Sequence, residues 1–131
     1  KDSLTAAQHN DLGFAYEKQG KLDLAEKEYL KAIKKDKTWP MPCFNLGNVY
    51  YRMGEKAKAV KYYRLGLKID PVHSGLMNNL AWVLMEQGQL KEAARWIEKA
   101  IAISPKPEYL NTRDEILKRR PPSTAPSSPK P

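Results

Sequence analysis

Asparagine, aromatic and methionine side chains recur at regular positions in this chain, and their chemistry suits the binding of a peptide. An Asn amide can pair with both the N–H and the C=O of a passing backbone. An aromatic ring or a Met side chain buries a large area at modest entropic cost and accepts varied shapes. We predict a peptide-binding surface that is formed by Asn10, Phe14, Phe44, Asn45, Asn48, Tyr51, Asn78, Asn79, Trp82 and Met85.

The residue types that serve catalysis form no recognisable set. His9 and His73 have no Cys or carboxylate partners at metal-ligand spacing. The chain has no Gly-rich phosphate loop, nucleophile elbow or paired-acid signature. Cys43 is the single cysteine and stands beside Phe44 and Leu46, so we expect a buried structural thiol. The sequence therefore predicts a protein that is not an enzyme and that uses no metal and no cofactor.

A constant period places these residues on helices. Gly20, Gly54 and Gly88 are equally spaced along the chain, and each stands between two segments whose apolar residues are spaced by three and four, as in amphipathic helices. A glycine suits the left-handed residue that ends a helix, and short connections predict antiparallel helix pairs. The predicted helices lie near residues 4–19, 22–35, 39–53, 56–69, 73–87, 90–103 and 107–120.

Apolar and small residues repeat with the same period. The first repeat gives Leu12, Gly13, Tyr16, Ala25, Tyr29 and Ala32. The second gives Leu46, Gly47, Tyr50, Ala59, Tyr63, Gly66 and Pro71, and the third gives Leu80, Ala81, Leu84, Ala93, Ile97, Ala100 and Pro105. Because close antiparallel packing leaves little room, we expect small residues to face each other in the pairs Gly13 with Ala25, Gly47 with Ala59, and Ala81 with Ala93.

This pattern resembles the tetratricopeptide repeat, with which it shares a period of about 34 residues and a Leu-Gly, Tyr, Ala, aromatic, Pro signature. The resemblance covers roughly residues 6–107. It implies an all-α fold, a right-handed α-solenoid of three helix pairs followed by a C-terminal capping helix. The chain departs from the signature at the usual Trp, which is replaced by His9, Cys43 and Met77.

The resemblance also predicts the domain organisation. Residues 1–120 form the repeat domain, with repeats at about 6–39, 40–73 and 74–107 and a capping helix at about 108–120. We expect that helix to cover the last repeat with its apolar residues, which are Tyr109, Leu110, Ile116 and Leu117. Residues 121–131 are a Pro/Ser-rich tail that cannot form a packed core. We expect this tail either to be disordered or to lie in the groove of a neighbouring molecule, near Asn48, Tyr51 and Trp82.

In this family the first helix of each pair lines a concave side, where we expect the asparagines and aromatic residues. The alternative is that Phe14, Phe44 and Trp82 wedge between first helices as part of the core. Some members bind acidic chaperone C-termini through a clamp of Lys, Asn and Arg. The matching positions here are Asn10, Phe14, Asn45, Gly75 and Asn79. Because the cations of the clamp are absent, that function is not expected.

A basic surface is expected on the second helix of the middle repeat. Between Pro40 and Ile69 six Lys or Arg residues face one acid, Glu55, which is +5 of the formal net charge of +8. The residues of this surface are Lys58, Lys61, Arg64 and Lys68. They are either a solvated face or an attachment site for an acidic partner, an anionic membrane surface or nucleic acid. Nucleic acid is the weakest of these, because aromatic residues are not interleaved with the basic ones.

Tyr62 and Trp96 occupy equivalent positions of neighbouring second helices, and they form either a self-association patch or packing within the monomer. The leading interpretation is a non-catalytic scaffold that binds a partner peptide and supports complex assembly. The alternative is a self-assembling homo-oligomer. No run of 18 apolar residues predicts a membrane span. A cytoplasmic location is expected, with a periplasmic or membrane-associated one if an N-terminal segment before Lys1 has been removed.

Overall fold

The computed structural model describes residues 1–120, which form seven α-helices and no strand. The helices are α1 (Ala6–Lys18), α2 (Leu22–Lys35), α3 (Met41–Arg52), α4 (Lys56–Ile69), α5 (Ser74–Glu86), α6 (Leu90–Ile103) and α7 (Pro107–Arg119). Each begins and ends within two residues of its expected bounds. The expectations for the tail, residues 121–131, fall outside the described residues.

Local side chains fix where several helices begin. Before α1, Thr5 Oγ1 accepts the backbone N–H of Gln8 at 3.1 Å, and Gln8 Oε1 accepts the N–H of Thr5 at 2.9 Å. This reciprocal pair is a capping box. Before α5, His73 Nδ1 accepts the N–H of Leu76 at 3.0 Å. Both α3 and α7 instead carry a proline in the first turn, where its missing N–H costs nothing.

Gly54 ends the first helix of the middle repeat in the left-handed conformation that its position predicts, with φ of +80°. Its N–H donates to the Tyr51 carbonyl at 3.0 Å, and the N–H of Glu55 donates to the Tyr50 carbonyl at 2.8 Å. These are the two bonds of a Schellman motif. The glycines one period before and after it also have positive φ, so the same turn reverses the chain inside every helix pair.

The helices stack in chain order. α1 packs on α2, α3 on α4 and α5 on α6, and each second helix also packs on the first helix that follows it. First helices contact one another as well, α1 with α3 and α5 with α7. Buried residues from α2 to α7 form a single cluster. The architecture is an all-α solenoid. Among residues 1–120, no helix has both the length and the apolar character that crossing a bilayer requires.

In the first two repeats the atoms nearest to a Cβ on the small residue of the first helix belong to a tyrosine ring. A Cβ on Gly13 would lie 2.7 Å from Cε1 of Tyr29, and a Cβ on Gly47 would overlap the ring of Tyr63. Both rings are buried. The first and second helices of these repeats therefore approach closely because the ring of one lies directly on the backbone of the other.

The third repeat solves the same packing problem with different residues. At the equivalent positions it has Ala81 and Ile97, both fully buried. An isoleucine is smaller than a tyrosine, so the opposite helix has room for a methyl group there. The exchange of Gly for Ala in the third repeat thus accompanies the exchange of Tyr for Ile.

The last helix closes the stack through a face that differs from the expected one. Tyr109, Thr112 and Ile116 are its buried residues, and the Tyr109 hydroxyl lies 3.0 Å from Ser74 Oγ. Leu117 is 53% exposed, so its predicted contact with the stack is wrong. Thr112 can be buried because its hydroxyl donates to a carbonyl of its own helix at 3.1 Å.

Candidate partner-binding groove

Two clefts lie where α3, α5 and α7 meet, and we call this side of the molecule the groove. The larger cleft has a volume of about 580 Å³ and the smaller one about 180 Å³. Asn78 and Asn79 of α5 line both clefts, so the two adjoin. Of the other predicted residues, the larger cleft contains Phe44, and the smaller one contains Asn48, Tyr51 and Trp82.

A chain of hydrogen bonds joins three asparagines beside the smaller cleft. The Tyr63 hydroxyl donates to Asn48 Oδ1, and Asn79 Nδ2 donates to the same oxygen at 2.9 Å. Asn78 Nδ2 in turn donates to Asn79 Oδ1 at 3.3 Å. Burial raises the pKa of Tyr63 far above its usual value, so the hydroxyl keeps its proton and needs an acceptor. Tyr63 therefore fixes which way the Asn48 amide faces, and Asn48 fixes Asn79.

A second amide pair joins the first two repeats. Asn45 Nδ2 donates to Asn10 Oδ1 at 3.0 Å. Asn10 is only 8% exposed, and the bond to its amide oxygen ties α1 to α3. Its role in peptide binding stays a prediction. Neither residue of this pair lines the two clefts.

Trp82 and Tyr51 form the aromatic wall of the smaller cleft. The Trp82 Nε1–H donates to the Tyr51 hydroxyl at 3.1 Å, and that hydroxyl donates to Glu86 Oε1 at 2.7 Å. Burial and the bond to Glu86 raise the pKa of Tyr51. Both rings are half-buried and pack on the core. One part of each ring thus packs on the core and another part faces the cleft, so the core position and the groove position do not exclude each other.

Two further predicted groove residues lie elsewhere. Met85 is 1% exposed and lines neither cleft, and its part in peptide binding stays a prediction. Its helix, α5, packs on α4, α6 and α7 and carries seven buried residues. Phe14 is 49% exposed, has the Lys18 ammonium 5.0 Å from its ring centre, and lines neither cleft.

The remaining polar groups of the groove carry no net charge. Asn78 Oδ1 is buried without a hydrogen-bond partner in the part of the chain that the structure describes. No charged side chain lines the smaller cleft. The larger cleft contains Lys106 and Glu108, which have opposite signs. The arrangement therefore offers amide groups beside aromatic rings, with no net charge to select an ionic ligand.

Sequence reasoning missed Tyr63 and Thr112, which both line the smaller cleft. The repeat pattern places Tyr63 in the core, and its ring is buried there. Only the length of a tyrosine brings its hydroxyl to the groove. Thr112 follows Tyr109 by three residues on the buried face of α7, and this spacing was the available signal.

The four predicted basic residues of α4 are exposed but differ in their contacts. Arg64 makes a bidentate bond with Glu92, with N···O distances of 2.7 and 3.1 Å. That bond lowers the pKa of Glu92. The ammonium groups of Lys58 and Lys61 each lie 5.4 Å from the centre of a tyrosine ring. Lys68 makes no salt bridge within residues 1–120.

Tyr62 and Trp96 are half-buried through contacts within the molecule. The ring centre of Tyr62 lies 5.6 Å from that of Tyr50. The Trp96 Nε1–H donates to Glu92 Oε2 at 3.1 Å. These contacts match the packing interpretation, and self-association through these two residues stays a prediction.

His9 and Cys43 are structural residues. His9 is buried, with Nδ1 2.7 Å from Glu28 Oε1 and Nε2 2.5 Å from Asp2 Oδ2. Each ring nitrogen of His9 thus faces one carboxylate, and the two contacts hold the ring in place. Cys43 is fully buried as expected, and burial raises the pKa of its thiol to about 11. No group of three or more His, Cys, Asp or Glu side chains in residues 1–120 is arranged to hold a metal ion.

Comparisons with known proteins agree with the helix pairs. One model of the tetratricopeptide repeat matches residues 44–106, and a second matches residues 13–54. The TPR repeat-containing protein YpiA of Bacillus subtilis (strain 168) is 30% identical over 97 residues, which are 72% of this chain and 23% of that protein. Tetratricopeptide repeat protein 6 of Homo sapiens is 31% identical over 81 residues, 62% of this chain and 16% of that protein. The chain spans less than a quarter of the length of either relative.

Solved structures show the same fold. The first TPR of Spaghetti (RPAP3), bound to the HSP90 peptide SRMEEVD, has a TM-score of 0.84 at 24% identity, covering 89% of this chain and 94% of that chain. The second TPR domain of human RPAP3, in complex with the HSP70 peptide SGPTIEEVD, has a TM-score of 0.82 at 21% identity, covering 87% and 96%. With the constant period, the helix pairs and the matching repeat models, this chain belongs to the tetratricopeptide repeat family.

Proposed function

We propose that this chain is a non-catalytic scaffold that binds an extended segment of a partner protein in the groove and so supports complex assembly. One observation carries the proposal: two adjoining clefts share the amides of Asn78 and Asn79 and are walled by the aromatic rings of Phe44, Tyr51 and Trp82. Such rings supply contact area, and amides pair with a backbone irrespective of its side chains.

The hydrogen bonds around the groove support a preorganised site. Tyr63 orients Asn48, Asn48 orients Asn79, and Glu86 orients Tyr51. A partner that meets side chains already held in place loses less conformational entropy on binding. The segment is expected to be extended, because the two clefts follow one another along the groove.

The charge of the groove also limits the kind of segment. The two neighbouring structures hold acidic chaperone peptides, and at this level of identity they inform the fold of this chain alone. In this groove Lys106 is the single cation that lines either cleft, and Glu108 lines the same cleft. We therefore expect selection by shape and by apolar side chains, and not by a C-terminal carboxylate.

A matched pair of tryptophans tests the proposal. Trp82 and Trp96 are both half-buried, and each donates its Nε1–H to one oxygen at 3.1 Å. Short peptides are selected on the protein from a random library, and their dissociation constants are measured by calorimetry. Trp82→Ala is expected to weaken binding by about 1–3 kcal/mol, since hot spots are central and aromatic. Trp96→Ala is expected to change it by less than about 0.5 kcal/mol.

Circular dichroism melts of both variants serve as the folding control. If selected peptides bind Trp82→Ala as tightly as the unchanged protein, or if Trp96→Ala weakens them equally, the groove is not the binding site.

A further inference from the structure

The outer side of α6 carries a cleft that the sequence pattern does not predict. The cleft has a volume of about 530 Å³ and is lined by Lys91, Ala94, Arg95, Glu98, Lys99 and Arg120. Lys91, Arg95 and Lys99 follow one another by four residues, so they lie on one face of α6 and span about 12 Å at the helical rise per residue. Arg120, directly after α7, adds a fourth cation. We call this site the α6 cleft.

Within residues 1–120 the charge of the α6 cleft is not neutralised. No cation of its lining lies within salt-bridge distance of a carboxylate of residues 1–120. Its single acid, Glu98, is 3.8 Å from Arg113. The cations of α4 differ, since Arg64 is held by both carboxylate oxygens of Glu92. Four positive groups around one concave surface raise the local concentration of anions.

We propose that the α6 cleft binds an acidic segment of a partner polypeptide, one in which several Asp or Glu residues stand close together. Arg95 and Arg120 can each hold a carboxylate through two parallel N–H···O bonds, while the lysines act as point charges. Glu98 can accept a backbone N–H. A polypeptide backbone supplies that donor, whereas the phosphodiester backbone of a nucleic acid has none.

Other anionic partners fit the α6 cleft less well. The nearest indole, Trp96, has its N–H bound to Glu92, and the Lys99 ammonium lies 5.0 Å from its ring centre, so this ring is not free to stack on a base. Among the described residues, Ala94 is the single apolar one of the lining. A bilayer surface would need larger apolar side chains to anchor the helix.

The α6 cleft is separate from the groove. It shares no lining residue with either groove cleft. The scaffold can therefore hold two segments at once, one by shape in the groove and one by charge on α6, which raises the effective concentration of a partner that carries both.

Fluorescence polarisation with a labelled (Glu-Ser)₆ peptide tests the proposal, with (Gln-Ser)₆ as the neutral probe. The acidic peptide is expected to bind, and its affinity is expected to fall as NaCl rises from about 50 to about 300 mM. The neutral peptide is expected not to bind. The double variant Lys91→Glu with Arg95→Glu is expected to weaken binding about tenfold or more. The control Lys27→Glu with Lys34→Glu makes the same change of net charge on α2, where both lysines are exposed, and is expected to weaken it less than about threefold.

If both double variants lose the same affinity for the acidic peptide, the binding is a general attraction to a basic protein, and the proposal is overturned. Absence of binding by the acidic peptide would do the same. A (dT)₁₂ oligonucleotide or phosphatidylserine vesicles that bind more tightly than the peptide, and that lose this binding with Lys91→Glu and Arg95→Glu, would assign the cleft to another class of partner. None of these results bears on groove peptides, whose binding is measured separately.

Discussion

The groove and the outer face of the second helices use the same residue type in opposite settings. Trp82 donates its N–H to a neutral hydroxyl and stands among amides, whereas Trp96 donates to the Glu92 carboxylate, which Arg64 also holds. The groove is thus held by short-range, directional hydrogen bonds between neutral groups, together with one bond from Tyr51 to the Glu86 carboxylate. The outer face of the second helices is instead stabilised by the ion pair between Arg64 and Glu92. The same repeat pattern thus carries one surface whose hydrogen bonds should depend little on salt and another whose ion pair should weaken as salt rises.

The largest effect is expected beneath the groove. A Gly47→Ala substitution places a methyl group in steric overlap with the Tyr63 ring. The ring cannot move away without breaking the hydrogen bond from its hydroxyl to Asn48. We expect a loss of about 3 kcal/mol in the free energy of unfolding, the upper range for an overpacked site. Urea unfolding followed by circular dichroism measures it.

Adding Tyr63→Ile to Gly47→Ala reproduces the pair found in the third repeat, Ala81 with Ile97. The double variant should be less destabilised than the sum of the two single variants, since the ring that the methyl group would meet is gone. Strict additivity would show that the ring and the glycine are not coupled.

A smaller loss is expected when the amide chain is cut. Asn48→Ala leaves the Tyr63 hydroxyl and the Asn79 amide without their acceptor, which should cost about 1–3 kcal/mol. Its counterpart on the outer face, Arg64→Ala, removes an ion pair that is half-exposed and should cost less than about 1 kcal/mol. Urea unfolding at low salt and in about 1 M NaCl separates the two, because salt screens only the ion pair. A salt-dependent loss in Asn48→Ala would contradict the contrast between the faces.

The smallest effect is the pH dependence of the outer face. The bond from Arg64 lowers the pKa of Glu92 below its usual value of 4.5, so the unfolded chain binds more protons than the folded one in that range. The contribution to stability is therefore complete above the unfolded value and is lost as the pH falls through the lower, folded value.

Unfolding measured from about pH 6 to about pH 3 should show the difference between Arg64→Ala and the unchanged protein shrinking as the solution becomes more acidic. The corresponding difference for Asn48→Ala should stay constant over that range, because its partners, Tyr63 and Asn79, do not titrate there. A constant difference for Arg64→Ala would mean that the pair with Glu92 does not form in solution.

The constant period predicted every helix to within two residues because glycine turns and apolar spacing are local properties of the sequence. The burial of side chains at the ends of the solenoid was harder to predict. The equivalents of Met85, which are Glu17 and Tyr51, are only half-buried, yet Met85 is covered because α7 packs on its helix. A periodic pattern treats all repeats alike, and the capping helix makes the last repeat different.

The groove was predicted by residue type but not by bonding. Asparagines on one helix face could equally meet a ligand or one another. Asn10 accepts a hydrogen bond from Asn45, whereas Asn48 lines a cleft. Which outcome occurs depends on distances between helices that lie a whole repeat apart in the sequence. The α6 cleft escaped prediction for the same reason, since Arg120 joins it only through the fold.

The turn at Gly54 has one consequence for chemical synthesis. Its φ of +80° lies in the left-handed region, which a residue of the mirror-image hand favours. D-alanine at this position should therefore restrict the unfolded chain without straining the folded one, and stabilise the protein by up to about 1 kcal/mol.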